Sequence, residues 1–228
     1  MTSLNSISPV FLIPARAGSK RVVNKNLRPI KGIPLISRTI SCAFKSGAKS
    51  VFVSTDSDDI ATISSISGAE VIRRPPEYAG DSSRVEESIL HALSVIPTAS
   101  DYTHVVLLQV TSPFRTSSNI VNCLLKAENN PQVDCILTCH QNKEDFWLIN
   151  NHQPTRLFPD APRRQQDRDP LFVENGCVYV SRIDSLKSTN SILGRNQLLV
   201  ESTVIEGFDI NTELDMICAE AIASSGLC

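Results

Sequence analysis

The chain has 228 residues, of which 20% are charged and 41% hydrophobic, and its net charge is −2. That length buries a full core without disulfide staples, and that composition excludes a disordered or fibrous chain. No apolar run approaches the roughly 20 residues of a membrane span, and no basic segment leads into a long apolar one. The expectation is one soluble, cytoplasmic domain spanning 1–228, with no membrane contact.

In chain order, Pro9 to Ile13 is an apolar run that reads as a buried strand ending at Pro14. A polar Gly/Arg/Lys/Asn stretch follows to Gly32. Pro34 to Lys45 has helical spacing, with Leu35, Thr39, Cys42 and Ala43 on one face and Gly47 just beyond. Val51 to Ser54 predicts a strand, Asp58 to Ser67 a helix closed by Gly68, and Glu70 to Ile72 a short extended piece. Val85 to Ile96 is helical, His104 to Val110 a buried strand, Asn119 to Glu128 a helix and Val133 to His140 a strand. Gly176 to Ser181 and Leu198 to Ile205 read as extended, and Thr212 to Ala223 as a closing helix. Strands alternating with helices predict an α/β fold, a mainly parallel sheet with helices on both faces.

Residues 142–174 break the rhythm, being rich in Asn, Gln, Asp, Arg and Pro, with a small apolar knot at Phe146-Trp147-Leu148-Ile149. A structureless excursion that long is unusual inside a domain, so it predicts an inserted arm. Trp147 is the only tryptophan, an aromatic of the kind that anchors interfaces.

The seven cysteines (Cys42, Cys123, Cys135, Cys139, Cys177, Cys218 and Cys228) are odd in number and scattered, and they read as small buried residues. Cys135 and Cys139 beside His140 do not suit zinc. Four residues of strand span about 13 Å, whereas two thiolates on one zinc lie about 4 Å apart.

The charge is lopsided. The first 55 residues carry +9 and the remainder −11, and six of the nine early cations fall between Arg16 and Lys31. Such a patch wants an anion. Ligands of open α/β sheets bind beyond the carboxyl ends of the strands. There lie Arg16 to Asn26, then Ser54-Thr55-Asp56, Arg73-Arg74, and Gln109, Thr111, Ser112 and Arg115. Neither GxxxxGK[ST] nor GxGxxG occurs, so the phosphate reading rests on Gly18 with Ser19, Lys20 and Arg21. Aromatics are 5% and do not interleave with the cations, which argues against a nucleic-acid partner. His91 and His104 read as structural.

The strings PARAGSKRVVNKN, STDSDDIA, RRPPEYAGDSS, LLQVTSPFR, NGCVYV and DINTELD occur in the order seen in acylneuraminate cytidylyltransferases (CMP-sialic acid synthetases), and the chain resembles that family from about Phe11 to Ala221. The resemblance implies a Rossmann-like, three-layer nucleotidyltransferase fold with a small dimerisation arm at 142–174. It also implies a homodimer, and transfer of CMP from CTP to the anomeric hydroxyl of a nonulosonic (sialic-type) acid with Mg²⁺ or Mn²⁺.

By the same resemblance, Arg16, Ser19 and Lys20 hold the triphosphate, Asn26 the nucleoside, and Arg74 closes over the nucleotide. Gln109, Thr111 and Ser112 lie between nucleotide and sugar. Arg164 receives the sugar carboxylate, Asn175 and Tyr179 face the sugar, and Asp209 with position 211 binds the metal. Arg16, Lys20 and Asp209 would carry the catalysis. Two departures from the family stand out. Asn211 stands where Asp is expected, as a metal ligand or only as the cap of the following helix, and Arg84-Val85 replaces small polar residues near the sugar. The alternatives are another acceptor (a legionaminate or pseudaminate type, 3-deoxy-manno-octulosonate or a phosphonate), or a homologue that binds nucleotide without turnover.

Overall fold

A computed structural model describes residues 4, 6–80 and 83–226, so Cys228 and the Asp81-Ser82 pair of the RRPPEYAGDSS string lie outside the described residues. The strands are β1 (Pro9–Pro14), β2 (Pro29–Ile30), β3 (Ile33–Pro34), β4 (Val51–Thr55), β5 (Glu70–Arg73), β6 (His104–Leu107), β7 (Cys135–Asn142), β8 (Trp147–Asn150), β9 (Gln153–Arg156), β10 (Leu171–Arg182) and β11 (Gln197–Glu201). The helices are α1 (Leu35–Lys45), α2 (Asp58–Ile66), α3 (Val85–Val95), α4 (Ser117–Asn129), α5 (Ile183–Thr189) and α6 (Glu213–Ser225).

Seven strands form one sheet in the order β11-β7-β10-β6-β1-β4-β5. All neighbours run parallel except β10, which is antiparallel to both β6 and β7. Successive residues of β1 feed opposite layers. Phe11 and Ile13 join the core with α1, α2, α4 and α6, while Val10 and Leu12 join the one with α3 and α5. A strand covered on both faces must be apolar throughout, which is why PVFLIP shows no alternation. From β1 the chain moves outward to β4 and β5, then returns to β6 on the other side. The loop after β1 therefore sits at the reversal point, where such sheets open a crevice.

The expected elements are present, with shifted ends. The β6 ladder stops at Leu107, because the Gln109 carbonyl turns to accept from the Arg115 guanidinium. The extended stretch at 198 ends at Glu201, and Ser202 instead donates its N–H to the Cys139 carbonyl. β10 is twice the expected length, since Leu171 to Glu174 pair with Asn142 to Cys139 before a register shift. α5, seven residues and about two turns, follows directly on β10 and carries no separate signal in the sequence. Thr212 caps α6 through Asp215, so Asn211 is not the cap.

Residues 143–170 spring from the end of the β7–β10 ladder and fold around a β8–β9 hairpin. Their organising centre is ionic. Asp145 accepts from Arg156 Nε at 2.8 Å and Arg168 Nη2 at 2.7 Å, and the two guanidinium groups also donate to the carbonyls of Ala161, Pro162 and Lys143. Both arginines hold the Asp145 carboxyl below the usual carboxylate range. No helix among the described residues is long and apolar enough to cross a membrane.

At the start of β6, burial, helped by the charge of Arg182, pushes the His104 imidazole down to about 4 from 6.5. Its Nδ1 lies 2.8 Å from the Thr103 hydroxyl. Between those values the unfolded chain takes up a proton that the folded chain refuses, so stability is lost as pH falls from 6.5 toward 4. His104→Asn should lack that share of the acid sensitivity. Urea midpoints at pH 7 and pH 5 for both proteins check this, and equal losses would refute it.

Candidate active site

The start of the loop after β1 is set by bonds to its main chain. Ala15 N–H donates to the Ser54 carbonyl at 2.9 Å and Ala17 N–H to Asp56 Oδ1 at 2.8 Å, so the end of β4 sets the loop's height. Asn26, buried in a 3₁₀ turn, donates from Nδ2 to the Arg16 carbonyl at 2.9 Å and closes the loop on itself. Arg16 is partly buried, while Gly18 and Lys20 stand at the surface.

Lys25 is a site residue that the sequence reading passed over as one cation among nine. Its Nζ donates to the Ile210 carbonyl at 2.7 Å. Burial lowers its pKa, against the opposing pull of Asp209. Arg21 Nη2 donates to Asn211 Oδ1 at 3.0 Å, and the Asn211 amide N–H donates in turn to Asp209 Oδ2. The basic loop and the 209–211 segment thus form one unit. Ile210 N–H donates to the Thr111 carbonyl at 2.9 Å, which adds the turn after β6.

That turn is braced from below by Arg115, whose Nε donates to the Cys177 carbonyl at 2.6 Å while Nη2 reaches Gln109 O. Above the brace, the hydroxyls of Thr111 and Ser112 are buried and make no hydrogen bond among the described residues. Two orphaned hydroxyls beside a cationic loop are what a polar ligand would satisfy.

A cleft of about 470 Å³ opens at Gln109 and Asp209, lined also by His140, Glu174, Tyr179 and Phe208 among others. The Tyr179 hydroxyl donates to Glu174, and burial first, then that carboxylate, drives its pKa upward. Asn175 borders the cleft but spends its polar atoms on the scaffold. Nδ2 donates to Ser202 Oγ at 2.9 Å, and Oδ1 accepts from the Thr138 hydroxyl at 2.8 Å and from Cys177 N–H at 3.2 Å.

Arg74 is likewise buried, with Nη2 on the Ser54 carbonyl at 2.7 Å and Nε on its hydroxyl at 3.1 Å. Burial brings its pKa down to about 10, which still leaves it charged at neutral pH. It stands as a fixed cation beneath the rim. Arg84 does not turn toward the cleft. It donates to the Asn190 carbonyl at 2.8 Å and pairs with Glu86 at 3.4 Å, fastening α3 to the end of α5. Arg164 lies in a separate concavity of about 800 Å³ with Gln141, Lys143, Gln165 and Gln166.

For a divalent ion the 209–211 segment offers the Asp209 carboxylate and the amide of Asn211 in contact with it. No group of three His, Cys, Asp or Glu gathers among the described residues. Hard oxygen donors in that number fit Mg²⁺, which keeps most of its shell as water and phosphate oxygen. The residues fit the ion provided a phosphate ligand arrives with it.

The Asn175 network generates a prediction. Asn175→Ala removes three buried hydrogen bonds, leaves the Thr138 and Ser202 hydroxyls with only their main-chain partners, and should cost about 1–3 kcal/mol of stability. Gly207→Ala should act on the same network, since a Cβ there would stand 2.3 Å from Asn175 Nδ2. Urea unfolding measures both, and an unshifted midpoint for Asn175→Ala would return that side chain to ligand duty.

Several known proteins resemble this chain. An N-acylneuraminate cytidylyltransferase of Escherichia coli O18:K1:H7 is 29% identical over 218 residues, covering 93% of this chain and 51% of that protein. N-acylneuraminate cytidylyltransferase B of Danio rerio is 32% identical, covering 92% and 50%. The chain thus spans about half the length of these curated relatives. A CMP-N,N'-diacetyllegionaminic acid synthase of Legionella pneumophila is 28% identical, covering 92% and 94%.

Among solved structures, a CMP:2-keto-3-deoxy-manno-octonic acid synthetase complexed with CTP superposes with a TM-score of 0.70 at 18% identity, covering 95% of this chain and 98% of that one. A 4-diphosphocytidyl-2C-methyl-D-erythritol synthase of Anaerococcus prevotii gives 0.68 at 14%, covering 95% and 96%. These likenesses establish the Rossmann-like nucleotidyltransferase fold. Residues 10–173 match the cytidylyltransferase family profile, and the chain belongs to the cytidylyltransferase family.

Proposed function

We propose that the protein transfers CMP from CTP to the anomeric hydroxyl of an acidic, nonulosonic-type sugar, releasing pyrophosphate. The observation that carries this reading is the joining of the cationic loop, the orphaned Thr111 and Ser112 hydroxyls and Asp209 around Ile210, beside a sugar-sized cleft. In this reading the triphosphate lies along Arg16, Ser19 and Lys20, with Asn26 shaping the loop and Arg74 supplying fixed positive charge from beneath. Thr111 and Ser112 receive the nucleotide. Gln109 and Tyr179 border the acceptor, while Asn175 keeps that border rigid.

The acceptor's anomeric oxygen attacks the α-phosphorus, the bond to the bridging oxygen of the pyrophosphate breaks, and the displaced proton passes to solvent. Positioning and charge stabilisation dominate such a displacement. Arg16, Lys20 and Lys25 stabilise the growing negative charge. A divalent ion held by Asp209, with Asn211 beside it, would neutralise phosphate charge.

Among the described residues, the cleft lining contains no Lys or Arg. The acceptor's carboxylate therefore needs a cation from elsewhere, and Arg164 in the arm is the candidate, reaching the site across a homodimer. Exposed Trp147 (54%), Leu148 (49%) and Ile149 (72%), with Leu157, Phe158 and Phe172, support the arm as the dimer surface. Light scattering at micromolar protein is expected to show a dimer. Trp147→Ser combined with Ile149→Ser is expected to weaken it, and a wild-type monomer would overturn the assignment.

Pyrophosphate release tests the reaction itself, with CTP, Mg²⁺ and a panel of N-acetylneuraminate, N,N'-diacetyllegionaminate and 3-deoxy-manno-octulosonate. Release is expected with CTP and one of the first two. The Legionella relative, matched nearly end to end, makes the second a specific alternative to the first. Equal rates with GTP, or CTP binding without release with any acceptor, would overturn the proposal.

A further inference from the structure

We propose that Arg21 is a built-in rival of the divalent ion at Asp209 and Asn211, and that it makes ion binding depend on the triphosphate. The inference rests on the reading above, of a divalent-assisted cytidylyltransferase.

The amide of Asn211 has a defined orientation. Its oxygen accepts from Arg21 Nη2 at 3.0 Å and its N–H faces Asp209 Oδ2. The reverse orientation would set N–H against guanidinium and carbonyl against carboxylate, losing both bonds. In the observed arrangement the carbonyl points to Arg21 instead of sharing a ligand position with the Asp209 carboxylate. An ion bound by both residues therefore requires the amide to turn over and Arg21 to leave.

A guanidinium close to the carboxylate also repels a divalent cation, an effect of about tenfold in affinity across a partly solvated site. Lys25 adds positive charge but is fixed, since its ammonium is tied to the Ile210 main-chain carbonyl. Arg21 is the exposed and movable member of the pair, on the loop that would cradle phosphate. A triphosphate competes for that guanidinium through bidentate bonds that an amide carbonyl cannot match. Once Arg21 is drawn to phosphate, the Asn211 carbonyl is free to turn. By linkage, phosphate then strengthens ion binding, and the ion strengthens phosphate binding by the same factor.

The test uses Mn²⁺ and electron paramagnetic resonance on the nucleotide-free protein, so it needs no turnover. Arg21→Gln should bind Mn²⁺ about tenfold more tightly than wild type. Arg21→Lys, which keeps the charge and loses the fork, should fall between. In an Asn211→Ala background the gain from Arg21→Gln should shrink, because the carbonyl it releases is gone. An Mn²⁺ affinity that is unchanged or weaker in Arg21→Gln, or too weak to detect in either protein, would overturn the rivalry. Calorimetry with CTP and Mg²⁺ separates the two ideas: no CTP binding to wild type with the ion present would sink the cytidylyltransferase reading, while normal CTP binding with unchanged Mn²⁺ affinity in Arg21→Gln would sink only the role of Arg21.

Discussion

The site depends on one peptide unit, that of Ile210. Its N–H is held by the Thr111 carbonyl, its carbonyl holds the Lys25 ammonium, and its side chain is fully buried in the core shared by α1, α4 and α6. Three stretches far apart in sequence (the loop after β1, the turn after β6 and the lead-in to α6) meet at that residue. The flanking Asp209 and Asn211 inherit their place from it. In an extended segment residues two apart face the same way, so burying Ile210 inward turns both polar neighbours outward to the loop. Apolar burial thus aims the polar chemistry, and the loop's cations follow because their partners are already fixed.

The scaffold was largely legible in the sequence because both signals behind it are local. Apolar runs such as Val51 to Ser54, short and β-branched, read as strands covered on both faces, and Asp58 to Ser67 carries its own stop in Gly68. Polar residues were less legible. Asn26, Arg74, Asn175 and Arg84 all look in sequence like groups awaiting a ligand, yet each is engaged by the protein itself. A buried polar group near a site must be satisfied whether or not it binds substrate, and a string of letters does not distinguish the two duties. Lys25 erred in the other direction. Nothing sets it apart from its neighbouring cations until the fold brings Ile210 beside it.

The arm shows a third kind of limit. Residues 143–170 lack the apolar residues to build a core, yet they are folded, because Asp145 binds two arginines whose N–H groups also gather five main-chain carbonyls. Arginine suits this because its planar fork donates in several directions at once. The pattern Asp145, Arg156, Arg168 has no periodicity to recognise, so the sequence gives the segment's existence and not its organisation. With its ionic centre inside, the hairpin is left with its apolar side chains outward.

The lopsided charge takes a different meaning in three dimensions. Part of the +9 of the first 55 residues meets acidic residues near the C-terminus rather than solvent alone. Arg28 pairs with Glu213 at 3.2 Å, Lys31 N–H donates to Glu220, and Lys25 feels both Asp209 and Asp215. Asp215 is itself committed, its carboxyl held low first by the Asn211 N–H and then by Thr212 as part of the α6 cap. Exposed pairs of this kind contribute little to stability. Their consequence is geometric: carboxylates fixed by a helix cap hold the basic loop against the sheet rim, and the loop keeps its shape without phosphate. The positive field of the loop is therefore partly neutralised on the side that faces α6, and Arg28 and Lys25 serve to seat the loop as well as to charge it.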